Sequence, residues 1–137
     1  MELKNPISIY KHEFNLVYDC NYHIVFCPKY RRRVLVDGID DRFKELVLAK
    51  QAEYKYNIVE MEVMSDHVHL LLNISPKISP YHCTKRIKGY TSRILRQEFP
   101  SLKSRLPCLW TRSCFIATVG NISLDIIRKY IEEQKNV

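Results

Sequence analysis

Strand-like and helical segments alternate in the order β-α-β-β-α-β-α, which predicts an α+β fold. The expected form is an antiparallel sheet with helices packed on one face, ferredoxin-like in outline, extended by a C-terminal helix. Three observations carry this. The strand-like runs are short and rich in β-branched and aromatic residues. The helical runs space apolar residues three and four apart. Proline, glycine, serine and asparagine mark the boundaries. At 137 residues the chain is long enough for one core and too short for two, so residues 1–137 are read as a single domain.

Residues 1–16 lack periodicity and read as an irregular arm. Tyr22 to Cys27 reads as the first strand, closed by Pro28. A basic loop follows, Lys29-Tyr30-Arg31-Arg32-Arg33. Asp40 or Asp41 is placed to cap a helix carrying Phe43, Leu46, Val47 and Tyr54. Asn57 to Met64 and His67 to Asn73 read as an antiparallel pair around the turn Ser65-Asp66. Ser79-Pro80 opens a helix well, because a hydroxyl caps it and the proline lacks an N–H the first turn cannot use. That helix, to about Glu98, sets Cys83, Ile87, Tyr90 and Ile94 on one side. Lys85, Arg86, Lys88, Arg93 and Arg96 lie on the other. Gly89 among them has two readings, a packing contact or the approach of a phosphate backbone. Leu109 to Val119 reads as the fourth strand, broken by Gly120-Asn121. Gly120 is either a plain strand-ending turn or a hinge for the helix after it. Ser123 can cap that last helix, residues 123–135.

The apolar share of 46% and charged share of 27% are those of an ordinary soluble protein. No apolar run reaches membrane-span length and no signal-peptide pattern opens the chain, so cytoplasmic residence is expected. Five cysteines without a C-x-x-C pair read as scattered, mostly buried thiols. The net charge is +7, and its distribution says more. From Lys77 to Arg112 nine basic residues face one acidic residue, Glu98. Such a segment fits a polyanionic partner, nucleic acid above all, against the alternative of a solvated charged face.

The most telling run is Asp66-His67-Val68-His69-Leu70-Leu71-Leu72. Side chains alternate across a strand, so Val68, Leu70, Leu72 and Ile74 share one face while His67 and His69 share the other. Two parallel imidazoles are half of a metal site, or two polar residues on a solvated sheet face; the pattern alone leaves both open. Asp66 is read as a turn former rather than a partner for His67, since immediate neighbours in a strand point apart. His23 is read as an ordinary strand histidine. Tyr30, Trp110 and Phe99 have the rings to stack on bases, with core packing the better reading for the last two.

The combination resembles the HUH endonucleases, and within them the single-tyrosine transposases of the smallest insertion sequences. The resemblance rests on Tyr22-His23-Ile24-Val25-Phe26 with Pro28-Lys29-Tyr30-Arg31-Arg32, on Asp66 to Leu71, on Lys88-Gly89 through Phe99-Pro100, on Trp110 to Ser113 with Thr118 to Asn121, and on Ile127 to Gln134. These run in family order over nearly the whole chain from Tyr22. Cys114 departs from the aromatic residue expected there, a matter of packing rather than chemistry.

The resemblance implies roles. His67, His69 and Gln134 would ligate Mg²⁺ or Mn²⁺, and Tyr130 would be the nucleophile. The substrate would be a single-stranded DNA hairpin at an element end, cleaved through a 5′-phosphotyrosine and rejoined. The protein would act as a homodimer with the terminal helix exchanged between subunits. Lys29, Arg31, Arg32 and Arg33, together with the basic helix face, would hold DNA phosphates. Without the resemblance, Tyr130 reads as a core residue of an amphipathic helix and Gln134 as solvated. Two rivals remain: a relative that only nicks hairpins, and a non-catalytic binder of structured nucleic acid.

Overall fold

The computed structural model describes residues 10–119 and 124–137. A hairpin of β1 (Lys11–Glu13) and β2 (Leu16–Tyr18) opens it. Then come β3 (Asn21–Phe26), a 3-10 turn (Lys29–Arg31), α1 (Ile39–Ala49), α2 (Gln51–Tyr54), β4 (Tyr56–Met64) and β5 (His67–Ile74). The chain ends with α3 (Pro80–Glu98), α4 (Ser101–Arg105), β6 (Phe115–Thr118) and α5 (Leu124–Glu133). The main sheet runs β4-β5-β3-β6, every neighbour antiparallel. The α+β reading holds, and the small elements are additions to it. None of the described helices is long and apolar enough to cross a membrane.

The period-two pattern decides how the sheet is used. Ile24 and Phe26 on β3 sit beside Leu70 and Val68 on β5, and Leu72 and Ile74 extend that face. All are fully buried against Phe43, Leu46 and Val47 of α1 and Cys83, Ile87 and Leu95 of α3. Val25 pairs with His69 and His23 with Leu71, so these four belong to the opposite face.

One anchor of the core is aromatic. Trp110 meets Phe26 edge-on at 4.8 Å and Phe43 at 5.5 Å between ring centroids. Its indole N–H donates to Thr91 Oγ1 at 3.1 Å, and the threonine hydroxyl in turn reaches the Ile87 carbonyl at 2.8 Å. A threonine on a helix can satisfy its own donor on the preceding turn and still accept from a neighbour.

Several local expectations are corrected. Part of the supposed arm is the β1–β2 hairpin, turned at Phe14-Asn15 with Asn15 left-handed at φ 57°. Helix α1 starts after Gly38 at φ 95°, which leaves Asp40 and Asp41 inside the first turn rather than at the cap. The buried stripe of α3 is Cys83, Thr84, Ile87, Thr91 and Leu95, with Tyr90 and Ile94 only at its margin. Ser79 does cap α3, accepting from the His82 N–H at 2.9 Å. A Cβ on Gly89 would meet nothing within 4 Å, so no packing contact accounts for that glycine. The fourth strand shrinks to Phe115–Thr118, with one separate bridge between Trp110 and Pro28. Between them the chain turns its carbonyls to Lys88. All five cysteines are free thiols.

Thr91→Val keeps the volume and leaves the buried indole N–H unpaired. We expect a loss of about 1–3 kcal/mol, read as a lower urea midpoint at unchanged slope by fluorescence of Trp110, the single tryptophan.

Candidate active site

The sheet face away from α1 and α3 carries the chemistry. Register sets Glu62 beside His69 and Met64 beside His67, with Val25 on the other side of His69. His67 Nδ1 lies 2.8 Å from Asp66 Oδ1. That contact puts the proton on Nδ1 and leaves the Nε2 lone pair for a ligand, the usual outer support of a metal-binding imidazole. Asp66 therefore does orient His67. It stands in the turn before β5, so the alternation that separates strand neighbours does not apply to it.

His69 is engaged differently. Its Nε2 is 2.9 Å from His23 Nδ1, the two rings stack at 5.1 Å, and Glu62 stands 3.8 Å from Nδ1. Burial, reinforced by His23, pushes the His69 pKa down and favours the neutral imidazole. His23 is thus part of this face. Its sequence position carries no sign of that, because the contact is diagonal across two strands and depends on register.

Helix α5 lies over the histidines. Ile127, Arg128, Ile131 and Glu132 line a cavity of about 480 Å³ with Glu62, His67 and His69. Ile127, Ile131 and Gln134 follow the i, i+4, i+7 rule and form one stripe of the helix. Gln134 is buried, and among the described residues its side-chain oxygen has no hydrogen-bond partner. A buried carbonyl without a donor is costly, so a cation is a natural counterpart for it. Among the described residues no three His, Cys, Asp or Glu side chains form a metal cluster. A ligand set on this face must therefore recruit another donor, and the Gln134 amide is of the right kind. Two neutral imidazoles and a carboxamide oxygen suit Mn²⁺ or Mg²⁺ with open positions left over.

Tyr130 occupies the neighbouring stripe. Its hydroxyl hydrogen-bonds Ser113 Oγ at 2.8 Å, and its ring packs 5.5 Å from Phe115. Burial pushes its pKa up to about 12. The structure thus unites His67 and His69 with Ile127 and Ile131 around one cavity and seats the Tyr130 hydroxyl beside Ser113, just before β6. Ser113 is itself held: Lys88 Nζ donates to the carbonyls of Thr111 at 2.7 Å and Ser113 at 2.9 Å.

Arg31 fastens the helix. Its guanidinium donates to Glu132 Oε2 at 3.0 Å and the Ile131 carbonyl at 3.4 Å, and lies 3.4 Å from Asp66 Oδ2. The Tyr30 N–H adds a bond to the Val137 carbonyl at 2.8 Å. Tyr30 and Arg31 are both left-handed, φ 58° and 49°, a conformation unfavourable for side chains of this size and kept by these contacts. In this single chain α5 docks on its own sheet.

Arg31 and Lys88 both have partners inside the protein, Arg31 in Asp66 and Glu132 and Lys88 in the Thr111 and Ser113 carbonyls. Arg32 and Arg33 are exposed, while Lys29 is half-buried with its ammonium 5.1 Å from the Tyr30 ring. Lys85, Arg86, Arg93 and Arg96 ride on α3, across the sheet from the histidines. Arg86 lies over the Tyr54 ring at 4.1 Å, and Arg96 reaches the Pro107 carbonyl at 3.4 Å. Gly120 and the Ser123 cap lie outside the described residues. Sequence reasoning passed over Glu62, for which it held no signal, and held Ser113 only as the end of the Trp110–Ser113 segment, without a role.

Two outcomes follow from this geometry. Arg31→Ala should speed amide exchange through 124–137 by about tenfold, the scale of one charged hydrogen bond, with the sheet's protection intact. The raised Tyr130 pKa means the folded state keeps its proton longer than the unfolded chain. Its effect on stability is absent below about pH 10 and becomes a loss as pH climbs towards 12. The stability difference between wild type and Tyr130→Phe should be flat to pH 9 and fall between pH 10 and 12.

A family model described as Transposase IS200 like matches residues 16–134. The chain is 38% identical over 120 residues to the ISDra2 transposase TnpA of Deinococcus radiodurans, covering 86% of each. It is 37% identical over 124 residues to the transposase for insertion sequence element IS200 of Salmonella typhimurium, covering 86% of this chain and 81% of that one. A crystal structure from Deinococcus radiodurans designated a transposase superposes with TM-score 0.83 at 34% identity, over 93% of this chain and 99% of the other. A REP-associated tyrosine transposase bound to a REP hairpin gives TM-score 0.56 at 11% identity, over 90% and 67%, a likeness of fold.

Proposed function

The chain belongs to the IS200-like transposase family, and from that premise we propose that it cleaves and rejoins single-stranded DNA at hairpin-bearing ends with Tyr130 as nucleophile. The observation that carries this is the docking of the Tyr130 helix over the His67–His69 face, with the buried Gln134 oxygen left without a donor. The fold shared with a transposase bound to a hairpin supports the substrate class.

His67, His69 and Gln134 would hold Mg²⁺ or Mn²⁺. Bound there, a divalent ion would supply Lewis-acid polarisation of the scissile phosphate. The residues of the chain do the rest. Asp66 keeps the His67 lone pair directed outward, and burial keeps His69 neutral. Tyr130 must leave Ser113 and give up its proton, since a phenol is a poor nucleophile at neutral pH. Its oxygen then bonds to phosphorus while the bond to the 3′-oxygen breaks, and that oxygen departs as a 3′-hydroxyl carrying a proton. The phosphotyrosine keeps the bond energy, so another 3′-hydroxyl can reverse the step and join strands without ATP. A homodimer with exchanged end helices is part of the proposal, the Arg31 contacts serving equally when α5 comes from a second copy.

The rival reading is a binder that nicks or does not cut at all. The Ser113 bond and raised pKa of Tyr130 favour the form that does not cut, because both stabilise an unreactive phenol. Incubation with labelled hairpin DNA and Mn²⁺ decides. We expect a denaturation-resistant protein–DNA adduct that disappears in Tyr130→Phe while hairpin affinity persists. Tight binding without an adduct in the wild type, or an adduct surviving in Tyr130→Phe, removes Tyr130 from the reaction.

A further inference from the structure

The sheet face under α5 carries a third histidine, His23, to which the metal-dependent reaction gives no task. It lies on β3, flanked by β5 and β6, and shares its face with its register partners Leu71 and Ala117. The half-buried ring meets His69 diagonally across the β3–β5 pair. His23 Nδ1 is 2.9 Å from His69 Nε2, and the rings stack with 5.1 Å between centroids and 29° between planes.

Two ring nitrogens this close need a proton between them, because two lone pairs at hydrogen-bond distance repel. A neutral imidazole carries one proton, so the nitrogen that holds it decides what the other can do. Suppose His23 donated from Nδ1. His69 would then accept at Nε2 and carry its own proton on Nδ1, leaving it no lone pair for a cation. If His69 donates from Nε2 instead, its Nδ1 stays bare. That nitrogen lies 3.8 Å from a Glu62 carboxylate oxygen, too far for a hydrogen bond, so Glu62 does not demand a proton there. Glu62, His67 and His69 line the same cavity under α5. A bare nitrogen and a carboxylate side by side are two acceptors without a donor, an arrangement that a cation stabilises.

We infer that His23 is a positioning residue for His69: it accepts a hydrogen bond from Nε2–H and so leaves Nδ1 as the nitrogen that meets the divalent ion. The inference rests on the proposed function and deepens it. The two histidines of β5 thus offer opposite nitrogens. Asp66 accepts from Nδ1–H of His67 and frees Nε2, while His23 accepts from Nε2–H of His69 and frees Nδ1. Because its imidazole is neutral as an acceptor, His23 orients a ligand without adding charge beside the ion, whose full double charge is what polarises a phosphate.

The test begins with metal-free protein carrying ¹⁵N in its histidines. In mildly alkaline buffer, nitrogen–proton correlation spectra should show the His69 proton on Nε2 and a bare Nδ1. In His23→Phe that proton should no longer be confined to Nε2. Mn²⁺ binding, read from the EPR signal of the free ion, should weaken about tenfold or more in His23→Phe. His23→Asn, whose carboxamide oxygen can accept in place of Nδ1, should restore it. A crystal of the Mn²⁺-loaded protein should place the ion against His69 Nδ1. A wild-type proton on His69 Nδ1, or the ion on His69 Nε2 with His23 displaced, overturns the inference and leaves the proposed function standing. Wild-type Mn²⁺ affinity in His23→Phe does the same. A wild type that binds no Mn²⁺ overturns the ligand set and the positioning of His69 together. Thermal melts check that the variants fold; should His23→Phe fail, the wild-type spectra and the Mn²⁺-loaded crystal decide.

Discussion

The Arg31 guanidinium, set between Asp66 and Glu132, is the contact on which the site depends. It ties a helix more than sixty residues downstream in sequence to the carboxylate that orients His67. A planar group with several fixed donors suits this task, because it can meet two carboxylates and a main-chain carbonyl at once. Its side chain is 16% exposed, so screening by salt is weaker than for a surface pair. The left-handed turn at Tyr30-Arg31 is the local strain that this arrangement tolerates.

The second constraint is the division of one sheet between two jobs. A single register puts Ile24, Phe26, Val68, Leu70, Leu72 and Ile74 towards α1 and α3, and every histidine of β3 and β5 towards α5. A slip of one residue would reverse both faces at once, which ties the integrity of the core to the presence of the site. The core is continuous and anchored by Trp110, so the working face can carry buried polar groups without supplying the main stability itself.

Those polar groups divide into satisfied and unsatisfied. Ser113, Lys88 and Tyr130 satisfy one another or nearby carbonyls and define a settled position for the phenol. Among the described residues the Gln134 oxygen is left without a donor, while His67 meets Asp66 through Nδ1. The same division explains why Lys88 differs from its neighbours on α3: burial lowers its pKa, and the carbonyls it meets supply partners that solvent cannot.

Alternation and helical periodicity are local, and so the α+β order, the paired faces of β5, the Ser79 cap and the candidates His67, His69, Tyr130 and Gln134 were legible in the chain itself. Local rules failed where a residue's partner lies far away. Nothing near Arg31 or Lys88 in the sequence distinguishes them from Arg32 or Lys85; only the arrival of Glu132, or of the Thr111 and Ser113 carbonyls, gives them partners inside the fold. His23 needed the β3–β5 register to meet His69. The sequence by itself determined which residues could do chemistry, because side-chain type and spacing are written along the chain. Tertiary structure decided which of them are free to do it, because a charge or hydrogen-bonding group already satisfied across the fold is no longer available to a substrate.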